Sequence, residues 1–489
     1  MNERLLVLNP AAFNWGMITP VLPELILLAI GVALVAIDLF APRQRQLLPW
    51  LTVLGVSAVL LMNLGMSVPA EAGMMLLNDG YAAFFCSLCL ASVILTALMR
   101  EMYSEQIGAH QGEFYSLMVF SAVGMMVMVA SVDLMTIYLG LELMALPLYV
   151  LIGMHKKEQR TSEAAAKYFL MGVFASALLL FGMSLLFGLT GSTTLASIGA
   201  YVKTHGLAGN PALILALGLM IAGLSFKVAV VPFHMWTPDV YQGSPSVLTA
   251  FMSVGPKAAG FAIFGRIMLV VFPELQLNWG PVLALLAVLT MAVGNIVALV
   301  QTSLKRMLAY SAIAHAGYAL LGIAAGTASG MAAAMSYLFI YLFMNMGAFA
   351  ILILCSGGKE AGESIESCKG MASRHPLLAV CMLIFMFSLT GIPPTGGFTG
   401  KFYLFQSALS AGYAAAVIAA VLLSAISAFF YLRIIRLMYM SAPGEEQGLA
   451  ISAPTAGIMV VLGIAVAGTL FLGVAPGTLF DWAQRAMLP

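Results

Sequence analysis

Charge is what this sequence is short of. Asp, Glu, Lys and Arg make up 8% of its 489 residues, against about 25% in a soluble domain. No polar stretch is long enough to form a water-soluble domain, 62% of the chain is hydrophobic, and the mean hydropathy is +1.02. Cysteine is scarce as well. Cys86 and Cys89 share a helix face inside an apolar run, and Cys355, Cys368 and Cys381 have no CxxC partner. Iron–sulfur and zinc sites need several convergent thiolates or imidazoles. The five cysteines therefore read as small apolar helix residues, with no cofactor or metal expected in this chain. Gly-rich pieces such as GSTTLASIG lack the strand–turn–helix context of a phosphate loop. The net charge of +1 offers nothing to nucleic acid, and the first twenty residues lack the basic-then-apolar layout of a cleavable signal.

What the chain does have is apolar runs of about 20 residues, the length that spans a bilayer. They predict an all-α membrane protein of about fourteen transmembrane helices. The first six lie near 21–40, 48–67, 79–99, 113–131, 133–153 and 162–190. A broken seventh follows at 211–243, then 246–272, 280–301, 304–327 and 330–356. A broken twelfth at 376–411 precedes 412–435 and 454–476. The loops sort by charge. Odd-numbered connections hold Arg43, Arg45, Arg100, Lys156, Lys157, Arg160, Lys305, Arg306, Lys359, Lys369, Arg374, Arg433 and Arg436; the other side holds only Arg4, Lys203, Arg266 and Arg485. By the positive-inside rule the odd loops are cytoplasmic and both termini periplasmic.

Helices seven and twelve share a build. Each breaks at proline, in KVAVVPFHMWTPDVYQGSP (227–245) and LTGIPPTGGFTGK (389–401), and each carries one lysine near the break. Two interrupted segments five spans apart, running in opposite directions, predict two inverted five-helix repeats, helices 4–8 and 9–13. The expected organisation is residues 1–112 as three N-terminal helices, 113–272 and 273–437 as the repeats, and 438–489 as the C-terminal helix.

Four lysines interrupt the apolar runs: Lys167, Lys227, Lys257 and Lys401. An ammonium at a bilayer centre costs about 2.5–3.5 kcal/mol on insertion scales, so these residues point to a buried proton path. Lys227 precedes Pro232, which frees the carbonyl of Val228. Lys257 follows Gly255-Pro256 near mid-depth, and Pro256 opens the helix around Met252. Lys401 mirrors Lys227 after the second break. Glu142, nine residues into span five, must pair with a cation or be protonated, and Lys227 is the expected partner. His315, at similar depth in span ten, has the chemistry of a relay, though a lone histidine in a helix is as often a satisfied core residue. Lys167, four residues after Glu163, is either an interfacial i,i+4 pair or a cytoplasmic gate. Lys305 and Arg306 read as topology anchors, Asp239 as a supporting group, and Glu24 and Asp38 as charges bracketing the first span.

At these residues the chain resembles the antiporter-like subunits of respiratory complex I. The motifs that carry the likeness are DLMTIYLGLELMALPLYVL, KVAVVPFHMWTPDVYQGSPSVLTAFMSVGPKAAGF, LKRMLAYSAIAHAGYALLG and LTGIPPTGGFTGKFYLF, spread over most of 113–437. A terminal lysine followed by Phe-Tyr, and a chain ending at Pro489 without a long lateral helix, favour the N branch over M and L. The resemblance implies proton translocation along an axis running from Glu142 and Lys227 through Lys257 and His315 to Lys401, with Lys167 matching a lysine of the family's sixth helix. It implies a subunit of a proton-pumping NADH:quinone oxidoreductase in a bacterial inner membrane. Other membrane subunits are the expected partners, with NADH, FMN, iron–sulfur clusters and quinone bound in partner subunits. The alternatives are a subunit of a multisubunit Na⁺/H⁺ antiporter or membrane-bound hydrogenase, and a structural anchor whose charges only fix helix register.

Overall fold

The structure is a computed structural model that describes residues 19–65, 70–72, 75–100, 111–154, 158–207, 210–356, 360–441 and 454–487. Arg4, Lys156, Lys157 and Lys359, counted among the loop charges, lie outside them. The chain opens with α1 (Leu22–Phe40) and α2 (Leu48–Gly65). A two-stranded antiparallel hairpin follows, β1 (Ala70–Ala72) and β2 (Leu76–Asn78), with Glu71 opposite Leu77. Then come α3 (Gly80–Arg100), α4 (Gln111–Ala130), α5 (Leu134–Ile152) and α6 (Gln159–Thr190). After α7 (Leu195–His205), the broken seventh crossing consists of α8 (Pro211–Val228) and α9 (Trp236–Gly243). Next are α10 (Ser246–Arg266), α11 (Gln276–Leu299), α12 (Leu304–Ala324) and α13 (Ala328–Ser356). The broken twelfth crossing is α14 (Pro376–Thr390) and α15 (Gly396–Ser410), followed by α16 (Ala414–Met440), α17 (Ala456–Val474) and α18 (Gly477–Arg485).

Thirteen of these helices are long and apolar enough to cross a membrane. The fourteenth crossing needs both α14 and α15. Fifteen residues rise only about 22 Å, short of a hydrocarbon core about 30 Å thick. Burial is graded: α10, α12 and α13 are almost wholly enclosed, whereas α1, α2, α6, α16 and α17 turn apolar faces outward. Lys257 and His315 thus sit on the most protected helices, α10 and α12, while Lys227 and Lys401 are buried at the breaks of α8 and α15. The short helices α7 and α18 were not expected from the sequence, since a span-length hydropathy window averages such pieces into loops. α18 is tied down by aromatics, with Trp482 at 4.4 Å from Phe84 and Phe480 stacked at 4.2 Å on Tyr403.

Two helix hairpins repeat one construction. Asp133 caps α5 by accepting from the N–H groups of Met135 and Thr136, and Ser303 caps α12 by accepting from Arg306 N–H. Such caps satisfy backbone donors that the helix leaves free. Each capped helix crosses its predecessor on glycines. A Cβ at Gly124 would sit 2.3 Å from Met144 N, and one at Gly140 2.6 Å from Met128 N. In the second hairpin a Cβ at Gly294 would lie 2.5 Å from Ala314 N. These approaches are to backbone, which cannot yield cheaply. Gly294→Val is expected to destabilise the fold by about 1–3 kcal/mol, read as a lower melting temperature of the detergent-purified protein; an unchanged melt would contradict the tight crossing.

Candidate functional site: a buried lysine row

Proline chemistry sets the geometry. α8 stops at Val228, and Ala229 takes φ +63° so that its N–H reaches Phe226 O at 3.2 Å while Val230 N–H reaches Ser225 O at 2.9 Å. The unwound stretch is held by Val231 N–H donating to Thr290 Oγ1 at 3.0 Å and Trp236 Nε1 donating to Phe226 O at 2.9 Å. Pro256 frees the carbonyl of Met252, and the Tyr241 hydroxyl donates to it at 3.2 Å. The second break follows the same logic, with Gly391 at φ +93° and Ile392 N–H returning to Phe387 O at 3.0 Å.

Lys227, Lys257 and Lys401 are all buried, and none has a carboxylate within 4.0 Å among the described residues. Their neutral surroundings differ. Among the described residues Lys227 Nζ has no hydrogen-bond partner. Lys257 Nζ donates to Ala312 O at 3.1 Å and lies 5.5 Å from the centre of the Tyr241 ring. Lys401 Nζ donates to Leu389 O at 3.0 Å, Thr390 O at 2.8 Å and Ser424 Oγ at 2.9 Å, and sits 4.7 Å above the Tyr318 ring. Leu389 and Thr390 end α14, so Lys401 places its charge at the negative end of a helix dipole. From Lys227 to Lys401 the acceptors for an ammonium thus number none, one and three.

The expected Glu142–Lys227 contact is not formed. Glu142 Oε1 is buried without a hydrogen-bond partner among the described residues, and the two groups interact only through space. Near this end of the row, Tyr149 OH, Ser176 Oγ, Ser225 Oγ and Thr237 Oγ1 are also buried and have no hydrogen-bond partner among the described residues. Buried polar atoms of this kind call for water. Between Lys257 and His315 lies a cavity of about 10 Å³, lined also by Ser253, Tyr337 and Tyr341. That volume suits about one water molecule.

His315 is held on both ring nitrogens. Nδ1 shares a hydrogen bond with the Tyr337 hydroxyl and Nε2 with that of Tyr431 at 3.2 Å. Tyr318 and Tyr341 flank the ring at 5.8 and 5.1 Å between centroids. Counted from their caps, Glu142 in α5 and Ala312 in α12 hold the same place, nine residues on. A backbone carbonyl thus serves Lys257 where the first hairpin has a carboxylate.

The family described as "NADH:quinone oxidoreductase/Mrp antiporter, TM" matches residues 131–427, which hold Glu142, all four lysines and His315. The chain belongs to that family. NADH-quinone oxidoreductase subunit N of Desulfovibrio desulfuricans is 50% identical over 94% of this chain and 95% of its own length. The Trichlorobacter lovleyi subunit N is 45% identical, with 96% of each chain covered. A chain of respiratory complex I from Thermus thermophilus superposes with a TM-score of 0.80 at 34% identity, covering 94% of this chain and 98% of that one. A chain of the Mrp complex from Dietzia shares the fold, at 21% identity and a TM-score of 0.80.

Other charges in the family region lie outside the row, and Lys167 forms the i,i+4 pair with Glu163 that the sequence offered. Lys167 is not in the buried row: its side chain is 42% exposed and pairs with Glu163 at 2.8 Å and Asp239 at 2.9 Å. Asp239 also takes Arg306 at 3.0 Å, and Arg306 reaches Gln242 at 2.7 Å. Glu163, Lys167, Asp239 and Gln242 border a polar cleft of about 190 Å³ with Arg160. Arg306 is more than an anchor, and Asp239, on α9, joins α6 to α12. Half-exposed pairs contribute about 0–1 kcal/mol. Asp239→Asn should leave the melting temperature nearly unchanged while slowing proton uptake, measured as initial rates in membrane vesicles; a parental rate would remove the cleft from the path.

Lys305 is buried as well, donating to Ser244 O at 2.6 Å and to Glu363 at 2.8 Å. Arg266, counted as a loop charge, is enclosed in α10 and binds both carboxylate oxygens of Asp79 at 3.0 Å. Asp38 pairs with Arg45 at 2.6 Å, and Glu24 is buried against neighbouring helices. All five cysteines are free and buried. Burial pushes the Cys368 thiol, in the loop before α14, up to about 12.

Proposed function

We infer that this chain is a proton-translocating membrane subunit of an NADH–quinone oxidoreductase, carrying protons along Lys227, Lys257, His315 and Lys401 with energy supplied by partner subunits. The observation that carries the reading is the row of three buried lysines, none with a carboxylate within 4.0 Å among the described residues. A lysine that only fixed helix packing would be paired, because an unpaired buried charge destabilises. A lysine that must load and unload a proton needs neutral, hydratable surroundings. The relatives named above, and the complex I chain that covers nearly the whole sequence, support the same assignment. On this reading the partners are the other membrane subunits of the complex, antiporter-like neighbours among them.

In the mechanism, displacement of Glu142 by a neighbouring subunit changes the field at Lys227. Lys227 then releases its proton through water and Lys257 to His315 and on to Lys401, which discharges it outward. Moving one charge against 100 mV takes about 2.3 kcal/mol, and one pKa unit is worth about 1.36 kcal/mol, so modest shifts at several sites suffice. Lys167 and Asp239 stand at the cytoplasmic mouth. NADH, FMN, iron–sulfur clusters and quinone belong to other subunits. The membrane is the bacterial inner membrane, with both termini periplasmic, and residues 113–272 and 273–437 act as two inverted units.

The test is to purify the tagged chain from its native membrane in mild detergent and assay NADH:quinone activity. Co-purification with a flavin- and iron–sulfur-containing activity is expected. Recovery with only other multispan subunits and no NADH oxidation would turn the assignment towards a cation/proton antiporter.

A further inference from the structure

The sequence assigned no role to α16, yet its inner face connects the last two members of the row. Ser424, Ser427 and Tyr431 are spaced three and four residues apart and so share one helix face, over about 10 Å of rise. At one end Ser424 Oγ accepts from Lys401 Nζ at 2.9 Å. At the other, the Tyr431 hydroxyl meets His315 Nε2 at 3.2 Å and Ser311 Oγ at 2.5 Å. Ser427 lies between them, buried, with its hydroxyl turned to Ser424 O at 2.6 Å. On the far side of the imidazole, Tyr337 holds Nδ1 and lines the cavity shared with Lys257.

A neutral imidazole between two hydroxyls must donate from one nitrogen and accept at the other. We propose that the Ser424–Ser427–Tyr431 face of α16 carries the proton between His315 and Lys401, and that His315 passes it by exchanging tautomers. This rests on the proton-translocation reading above. The Lys257 ammonium gives a proton through cavity water to the Tyr337 oxygen as the Tyr337 hydroxyl proton moves to Nδ1. The Nε2 proton leaves to the Tyr431 oxygen. Tyr431 passes its own hydroxyl proton through Ser427 and water to Ser424, whose proton moves to neutral Lys401 Nζ. Each hydroxyl and the ring gain one proton and lose one; Lys257 loses one and Lys401 gains one. Hydroxyl rotation and a ring flip reset the wire.

The experiment measures protons translocated per NADH in vesicles carrying the whole complex, with assembly checked on native gels and Lys227→Ala as the reference for a silent subunit. Tyr431→Phe keeps the ring and removes the hydroxyl; it is expected to lower the ratio to the Lys227→Ala level. Ser424→Ala should do the same, and it reads the route even if the Tyr431 variant fails to assemble. His315→Gln keeps one donor and one acceptor but cannot exchange them, and should also fall to the reference. Parental ratios in Ser424→Ala and Tyr431→Phe beside an impaired Lys227→Ala would overturn the α16 route alone. A parental ratio in His315→Gln would overturn tautomer exchange. A parental ratio in Lys227→Ala would overturn the underlying function and the route with it.

Discussion

Lys227→Ala should stop this chain's share of proton translocation while leaving the fold as stable as before, or more stable. The two halves of that outcome have one cause. Lys227 Nζ is buried with no hydrogen-bond partner among the described residues, so its charge lowers stability, and on the proposed path only proton traffic gives it value. Lys401→Met should differ, although the residue occupies the mirrored place. Its ammonium ties Leu389 O, Thr390 O and Ser424 together, and losing hydrogen bonds to a charged group costs about 1.5–3 kcal/mol. Both variants therefore lose pumping, but only Lys401→Met should melt earlier. Proton uptake per NADH in vesicles, set beside thermal unfolding of the purified complex, checks the pair. Parental pumping in either variant would mean that the row is not the path.

Asp79→Ala should be among the most damaging single changes outside the lysine row. It would leave the Arg266 guanidinium enclosed without its bidentate partner, and breaking a buried pair from one side costs about 3–5 kcal/mol. The Tyr81 ring, 4.9 Å from that guanidinium, cannot replace a carboxylate. Replacing both partners, as Asp79→Leu with Arg266→Met, should restore most of the loss, because no unpaired charge remains. The yield of folded protein in native membranes and its melting temperature decide the matter. A double variant as damaged as Asp79→Ala would show that the pair does more than balance charge.

The fourteen crossings, both breaks and every buried lysine in the row were legible because hydropathy and proline act locally along the chain. What depth did not give was contact. Glu142 and Lys227 act on each other only through space, because placement along two helices does not fix whether the side-chain tips meet. Arg266 was misplaced because a charge at the end of a span looks the same whether it faces water or a carboxylate 187 positions earlier. The acceptors of Lys257 and Lys401 are mainly backbone carbonyls, which carry no sequence signal. The hydroxyls at His315 come from Tyr337 and Tyr431, 22 and 116 positions away, on helices whose tyrosines resemble ordinary packing residues. Lys305 was read as an anchor because its burial depends on Glu363 and Ser244, brought in from two separate loops.

The order in which the row is assembled bears on how the protein is made. Lys257 finds its acceptor only when α12 arrives, His315 is enclosed only by α13 and α16, and Lys401 gains its third acceptor from α16. A ribosome-bound chain that has inserted its first eight crossings therefore holds Lys227 and Lys257 with nothing to pass a proton to. On the proposed route, biogenesis in an energised membrane opens no leak until the last broken crossing and its successor are in place.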